Sequence, residues 1–517
     1  MCGILAHCYG PNANIESSIS EFSEDELSRK KLESCSAEWE NLKNIIPLVV
    51  QRGPNYASLR LSNDDKMLWF SSVLSLREPL TKQSIVAEDR FVLQYNGECY
   101  NSSILHNDTQ WIVDQLCKHE DVLHVIKSLE GEFAYTIYDR LTQEVFFGRD
   151  PIGKRSLSFR LDKENQELTI CSVTGKSEGF ENCHAGVVYV YDKSKGTLNA
   201  DITIKAENFV VTNEEDPELI DLPGNIDKLF FHLDNAVKCR LQTIHPLHVE
   251  NSPISILFSG GLDCSVIAAL LCQQIKTLGL NTAVELLNVG FENQRTGMMP
   301  NDVPDRVLGR QSFKTLRELF PEIDMRFVEV DVDYAEYLEH RPGILNLIYP
   351  KQTEMDLSIA AAFFFAAKGS GFLSDEKSGC RVPYNRQGIV LFSGLGADEL
   401  YGGYHKLVNK SKNELVAELE RQINNIHDRN LSRDDKVLAS NGVEVRYPFL
   451  DETVVEFSTK LPLNYKINKM ILRKLAEEKL QLADISTEPK RAIQFGAKSA
   501  KMTKNGNKHG TDLVKDS

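Results

Sequence analysis

Over much of the first 200 residues, apolar and polar positions alternate with a period of two. Runs of this kind cover residues 90–95, 144–147, 168–173 and 186–191, the spacing of half-buried strands. They predict a β-rich layered domain in which two antiparallel sheets pack between helices. Residues 17–44 are polar and charged at their start and then more helical, which reads as a surface insertion leading into a helix. The period changes after residue 225. Leu229, Phe230, Leu233 and Val237 recur at helical spacing within residues 226–241, leaving Lys238 and Arg240 for the solvent side. Strands at 255–258, 284–289 and 325–330 then alternate with helices at 264–278 and 305–319, and an apolar helix follows at 356–368. This order predicts a parallel α/β sheet covered by helices, with ligands at the carboxyl ends of its strands.

Punctuation separates the two patterns. Thr212-Asn213-Glu214-Glu215-Asp216-Pro217-Glu218 and Leu222-Pro223-Gly224 gather acid, proline and glycine, which places a joint at about 195–225. The expected organisation is a first domain at 2–205, a second at 225–500 and a disordered polar tail at 501–517. Residues 369–388 read as a mobile surface loop between helix and strand.

Composition narrows the class. The 517 residues are 42% hydrophobic and 26% charged, as in soluble globular proteins. A formal net charge of −15 opposes binding to nucleic acid or anionic membranes. No apolar run approaches the ~20 residues of a membrane-spanning helix. The start, Met1-Cys2-Gly3-Ile4-Leu5-Ala6-His7, has no basic segment before its apolar residues and is not expected to act as a secretory signal. The 11 cysteines are scattered and form no Cys-x-x-Cys pair, so reduced thiols, a cytoplasmic location and no zinc site are expected.

Candidate chemistry sits at two places. Ser255-Ile256-Leu257-Phe258-Ser259-Gly260-Gly261-Leu262-Asp263-Cys264-Ser265-Val266-Ile267 reads as buried strand, glycine turn and apolar helix start. Such a turn offers backbone N–H groups and a helix amino end to an anion. No Gly-Lys-Ser/Thr follows, so it is not a Walker loop. At the other place, a small residue at position two permits removal of Met1. Cys2 would then carry an α-amine of pKa about 7.7–8.0 that can serve as base for its own thiol. A thiolate attacking a carboxamide builds an oxyanion that needs fixed donors, and Asn96 and Gly97 can supply a side-chain amide and a backbone N–H. Other readings of these residues are a hairpin turn for Asn96-Gly97 and a helix N-cap for Asp108 or Asp398.

Ser-Gly-Gly-x-Asp-x-Ser resembles the pyrophosphate loop of ATP pyrophosphatases. Met1-Cys2-Gly3-Ile4, Gln51-Arg52-Gly53-Pro54-Asn55, Tyr95-Asn96-Gly97-Glu98-Cys99-Tyr100-Asn101, Asn107-Asp108-Thr109-Gln110, Gly131-Glu132-Phe133-Ala134-Tyr135 and Gly148-Arg149-Asp150-Pro151-Ile152-Gly153 follow in order. They resemble the amidotransferase half of glutamine-hydrolysing asparagine synthetases. Leu391-Phe392-Ser393-Gly394-Leu395-Gly396-Ala397-Asp398-Glu399, Asn441-Gly442-Val443-Glu444-Val445-Arg446-Tyr447-Pro448-Phe449-Leu450-Asp451 and Pro489-Lys490-Arg491 resemble that family's second half.

The resemblance implies an α/β two-domain fold. Its first part is an N-terminal-nucleophile αββα four-layer sandwich, and its second a doubly wound parallel-sheet ATP-pyrophosphatase domain. It implies Cys2 as nucleophile, with Asn96 and Gly97 stabilising the oxyanion. Arg52, Asn96, Gly97, Glu98 and Asp108 would hold glutamine. Ser259, Gly260, Gly261, Asp263, Ser265, Val289, Ser393 and Gly394 would hold ATP and pyrophosphate, Val289 lining the adenine pocket. Asp263 and Asp398 would bind Mg²⁺, and Lys490 would meet the leaving group. A small carboxylic acid, aspartate by analogy, would accept the nitrogen, and a homodimer is left open.

Two positions depart from the family pattern. Val73 stands where an Arg pairs glutamine's α-carboxylate, and Arg52 and Arg77 are the nearby guanidiniums. Leu395 stands where a Glu is thought to help ammonia attack the acyl-adenylate; leucine moves no proton. Three readings follow: a glutamine-dependent ligase, a regulatory binder of glutamine and ATP with reduced catalysis, and an amidoligase for a different acid.

Overall fold

The computed structural model describes residues 2–28, 42–205, 208–212, 221–245, 252–374, 380–404, 410–504, 506–507 and 509–514. The described residues form an α/β structure with three sheets, and the chain divides into two compact units. One comprises residues 1–207 with 346–350 and 427–443, and the other comprises 208–345, 351–426 and 444–517.

The first unit holds two sheets whose strand pairs are all antiparallel. In one, β1 (Gly3–Cys8) lies between β4 (Met67–Val73) and β10 (Glu167–Cys171). In the other, β6 (Phe91–Cys99) and β7 (Gly131–Asp139) pair along their full lengths, with β8 (Glu144–Arg149) next to β7. Strand alternation sends Ile4, Ala6, Cys8 and Trp69 of one sheet against Val92, Ala134, Tyr138 and Phe147 of the other. The opposite face of the second sheet, with Leu93, Tyr95, Phe133 and Ile137, packs on Ile112 and Leu116 of helix Asp108–His119 and Val125 of helix Val122–Ser128. Helix Ile46–Val50 lies on β1 and β4. The layers therefore run helix, sheet, sheet, helix.

The second unit holds a seven-stranded sheet whose strands lie in the order Arg381–Asn385, Ser370–Ser374, Met325–Val332, Val284–Phe291, Ile254–Leu257, Val390–Phe392 and Glu444–Arg446. Strands β14 (Ile254–Leu257), β15 (Val284–Phe291), β16 (Met325–Val332), β19 (Val390–Phe392) and β20 (Glu444–Arg446) are parallel. Helix Leu262–Leu278 follows β14 and is buried along most of its length, as a parallel sheet covered by helices requires.

Several expectations are corrected. The insertion at 17–44 begins with an edge strand, Ser18–Ser23, paired to residues 56–62; residues 29–41 lie outside the described residues. Leu222-Pro223-Gly224 is not a turn but the first turn of helix Leu222–Gln242, where proline loses no hydrogen bond; the acidic stretch 213–220 lies outside the described residues. Arg240 does not face solvent: it is buried and donates to Asp451 Oδ2 at 2.8 Å. The loop at 369–388 contains a hairpin, β17 (Ser370–Ser374) and β18 (Arg381–Asn385), that extends the sheet antiparallel to β16. Buried Glu285 fixes it by accepting from Tyr384 Oη at 2.6 Å, Gln387 N at 2.9 Å and Gly388 N at 3.0 Å. The polar tail is tied down where described. Asp512 O and Gly510 O accept from Glu354 N and Met355 N at 2.9 Å each, and Val514 N donates to Gln352 O at 2.8 Å. These carbonyls take up N–H groups that the start of helix Glu354–Lys368 leaves without intrahelical partners.

Candidate active sites

Cys2 stands directly before β1, partly exposed and outside any disulfide. Its carbonyl accepts from Arg52 Nε at 3.1 Å. Arg52 is itself buried, donates from Nη2 to Asp435 Oδ2 at 2.9 Å, and has no partner at Nη1. Val73, in β4, is buried beneath the Arg52-Gly53-Pro54 turn; a Cβ on Gly53 would lie 2.3 Å from Val73 N. Valine there packs and offers no charge.

Asn96 and Gly97 do not form a hairpin turn. They lie inside β6, paired with Ala134 and Phe133. Gly97 has φ +146°, and a Cβ would fall 2.0 Å from Glu132 O, so only glycine fits. The Asn96 side chain is fully buried, and neither its Nδ2 nor its Oδ1 has a hydrogen-bond partner. An orphaned buried amide costs free energy. It can hydrogen-bond a substrate without first breaking a bond. Gln83, which sequence reasoning passed over, locks this strand: its Oε1 accepts from Tyr95 N at 2.7 Å and its Nε2 donates to Tyr95 O at 2.9 Å. The same Nε2 lies 3.9 Å from Cys2 Sγ, so the nucleophile candidate and the Asn96 strand share one bridging side chain. No local pattern in the sequence marks Gln83.

Asp108 is the first residue of its helix rather than the cap, which is Asn107. Its Oδ2 accepts from Cys99 N at 3.0 Å and its Oδ1 from Thr109 N at 2.8 Å. Arg77 pairs with Glu98 and donates to Cys99 O at 2.8 Å and His106 O at 3.0 Å. Burial opposes its charge, yet Glu98 and Asp108 together raise its pKa above the usual guanidinium range. Of the two guanidiniums, Arg77 is thus engaged by Glu98, while Arg52 retains an unused buried nitrogen.

In the second unit, β14 leads through Phe258-Ser259-Gly260-Gly261 into helix Leu262–Leu278. Gly260 has φ +83°, and a Cβ would come 2.6 Å from Gly309 N. Gly260 O accepts from Ser312 Oγ at 2.7 Å and Ser265 Oγ at 3.4 Å. Gly261 caps the helix without a side-chain bond, leaving its amino end open to an anion. The Ser393-Gly394 turn lies alongside: a Cβ on Gly394 would meet Asp263 Cβ at 3.0 Å. Ser393 N donates to Arg446 O at 3.0 Å, and Leu395 N donates to Ser393 Oγ at 3.2 Å. Val289 is buried in β15.

Asp263 and Asp398 converge on one cation. Lys469 Nζ lies 2.6 Å from Asp263 Oδ2 and 2.6 Å from Asp398 Oδ1, and Lys490 pairs with Asp398 Oδ2. Burial works against the Asp398 carboxylate, but Lys469 and Lys490 hold its pKa down at about 2. The same carboxylates raise the Lys469 pKa against its burial. Asp398 is not a helix cap; Gly396 is. Lys469 was not singled out from the sequence, although a lysine at positive φ, 59°, beside Asn468 at 55° is an unusual pair. Carboxylate oxygens are ligands of the kind Mg²⁺ takes, but the position these two share is filled by the Lys469 ammonium. Among the described residues no group of three or more His, Cys, Asp or Glu could hold a metal ion.

Two family models match parts of the chain. Residues 73–175 match the glutamine amidotransferase domain and residues 409–517 match asparagine synthase. An asparagine synthetase domain-containing protein of Saccharomyces cerevisiae is 55% identical over 100% of this chain and 99% of its own. Asparagine synthetase domain-containing protein 1 of Gallus gallus is 29% identical over 84% of this chain and 90% of its own. The glutamine-hydrolysing asparagine synthetase of Homo sapiens is 27% identical over 79% of this chain and 72% of its own. Matched along its whole length, the chain belongs to the family of asparagine synthetase domain-containing proteins.

Proposed function

We propose that the protein is a glutamine-dependent amidoligase. The Cys2 thiol, with its α-amine as base, attacks the carboxamide carbon of glutamine. Asn96 Nδ2 and Gly97 N–H receive the charge on the oxyanion. Ammonia leaves, and water releases glutamate from the thioester. Asp108 pairs with the α-ammonium of glutamine, and Glu98 and Arg52 complete the pocket. The observation that carries this reading is the Asn96 side chain, buried with its amide unsatisfied.

At the second site a carboxylate, aspartate by analogy, attacks the α-phosphorus of ATP, and pyrophosphate leaves toward Ser259, Gly260, Gly261, Ser265 and Lys490. Ser393, Gly394 and Val289 hold the nucleotide. Mg²⁺ on Asp263 and Asp398 would neutralise phosphate charge. Ammonia from the first site then takes the acyl group from AMP. We place this activity in the cytoplasm, with a homodimer left open.

Leu395, beside the nucleotide turn, favours a second reading in which the acceptor is another acid or catalysis is reduced to binding. The test is direct. Purified protein should release glutamate from glutamine, and Cys2→Ala should abolish it; no glutamate above background refutes the amidotransferase reading. With ATP, Mg²⁺, glutamine and aspartate, AMP and asparagine should appear together. AMP without asparagine points to another acid, to be found by ATP–pyrophosphate exchange across a panel of carboxylic acids. Neither AMP nor pyrophosphate points to a binding role.

A further inference from the structure

Helix Ser432–Ala439 belongs by sequence to the second half of the chain, yet it is part of the first unit. Every one of its eight residues is buried. Asp435 has no solvent exposure. Its Oδ2 accepts three bonds, from Arg52 Nη2 at 2.9 Å, Ser156 N at 2.9 Å and Ser156 Oγ at 2.6 Å. Arg155 Nη1 lies 3.9 Å from Oδ1. The guanidinium held by Asp435 is the one whose Nε donates to the Cys2 carbonyl and whose Nη1 is buried without a partner.

A buried carboxylate with this many donors has a function in proportion to its cost. Desolvating Asp435 and Arg52 together is expensive, and a packed apolar pair would serve stability as well. The charge pair instead fixes a fork-shaped cation in one orientation. One nitrogen faces Asp435, one faces the Cys2 backbone, and one is left over.

We propose that Asp435 is a positioning residue of the amide-hydrolysing site: it holds Arg52 so that Nε fixes Cys2 and Nη1 is presented to the α-carboxylate of glutamine. This role takes the place that the arginine missing at Val73 leaves open, and it rests on the reading of the first site as a glutamine site. Asp435 touches no substrate and acts through Arg52 alone. The site for glutamine is then assembled from residues nearly 400 positions apart in sequence.

The test uses the full-length protein in two forms. In a Cys2→Ala background, which binds without turnover, glutamine affinity is measured by calorimetry with and without Asp435→Asn. The asparagine keeps the shape and an acceptor for Ser156 but removes the charge that holds Arg52. Affinity should fall at least about tenfold, the scale of one charge-assisted pair. In the Cys2 form, Asp435→Asn should raise KM for glutamine by a similar factor and, because Arg52 Nε also anchors the Cys2 carbonyl, lower kcat as well. Ser156→Ala, which leaves the Asp435 charge in place, should change KM less than about threefold. Melting temperatures of the variants control for unfolding. Equal glutamine affinity with and without Asp435→Asn overturns the proposal, as does a Cys2→Ala protein that binds no glutamine at all. Glutamine bound and weakened by Asp435→Asn but never hydrolysed would sustain the proposal and refute the proposed hydrolysis.

Discussion

Single side chains carry the chemistry here, and Asn96 shows the trade most plainly. Its amide is buried at no exposure with both heteroatoms unpaired. Removing an unsatisfied buried polar group relieves a desolvation penalty of about 1–3 kcal/mol and leaves a small cavity that takes part of it back. Asn96→Ala should therefore leave the melting temperature within about 3 °C of wild type, or raise it. Its loss of one oxyanion donor should lower kcat for glutamate release by about 10²–10³. A variant that melts far below wild type while hydrolysing glutamine normally would show a structural amide instead. Asn96 stands out in the sequence because an amide and a glycine come directly after an apolar run, although both lie inside β6 and not beyond its end. Gln83, Lys469 and Asp435 do not. Each acts on a partner that is distant in the chain: 12 positions for Gln83 and Tyr95, 206 for Lys469 and Asp263, 383 for Asp435 and Arg52. A local window holds only one member of each pair.

Elements were readable where periodicity and punctuation agreed. The parallel strands β14, β15 and β16 and their helices follow the apolar runs, because a strand buried on both faces leaves little room for other sequences. The misread segments are polar elements at sheet edges and helix ends. Ser18–Ser23, with its run of serines, and the 370–385 hairpin look like loops because their order comes from ladder bonds and from buried Glu285, not from apolar faces. The same holds at the start of helix Pro304–Leu319. Asp305 sits in its first turn, buried, with Oδ2 unpartnered and Arg491 3.8 Å from Oδ1. A Cβ on Gly496 would lie 2.0 Å from either oxygen. Burial raises its pKa from 3.8 to about 7, outweighing Arg491, Lys490 and Lys498, which lower it. Between these two values the folded protein keeps a proton that the unfolded chain has released. Stability from this group is thus full below the unfolded value and is lost as pH rises through about 7. Asp305→Asn carries no such charge. Its stability advantage over wild type, read from urea midpoints, should grow by about 1–3 kcal/mol from pH 5.5 to pH 8. A constant difference across that interval would show that Asp305 is ionised in the folded protein throughout.

At the scale of the whole molecule, the order of domains along the chain is not the order of folding units. The first unit takes residues 346–350 and 427–443 from beyond the joint read at 195–225. Within that unit His427 packs on Gly153, Asp428 accepts from Asn182 Nδ2 at 2.8 Å, and Asp435 accepts from Arg52. Composition marks where a linker falls, but it does not mark where a later segment returns. A fragment of residues 1–225 should consequently be a poor amidotransferase even though it contains Cys2, Asn96, Gly97 and Asp108. Arg155 would keep Glu132 at 3.2 Å, but Arg52 would lose the carboxylate that holds it beside the Cys2 carbonyl. Removing one partner of a buried ion pair costs about 3–5 kcal/mol, a large share of a domain's net stability. The fragment should melt well below the full-length protein and release little glutamate. Joining residues 427–443 to its end through a flexible glycine-serine linker should recover part of both, since the cost of closing such a loop grows only slowly with its length. The same fusion carrying Asp435→Asn should recover less glutamine binding than the unaltered fusion. A fragment of 1–225 with full-length KM and melting temperature would show instead that Arg52 holds its orientation without the returning helix.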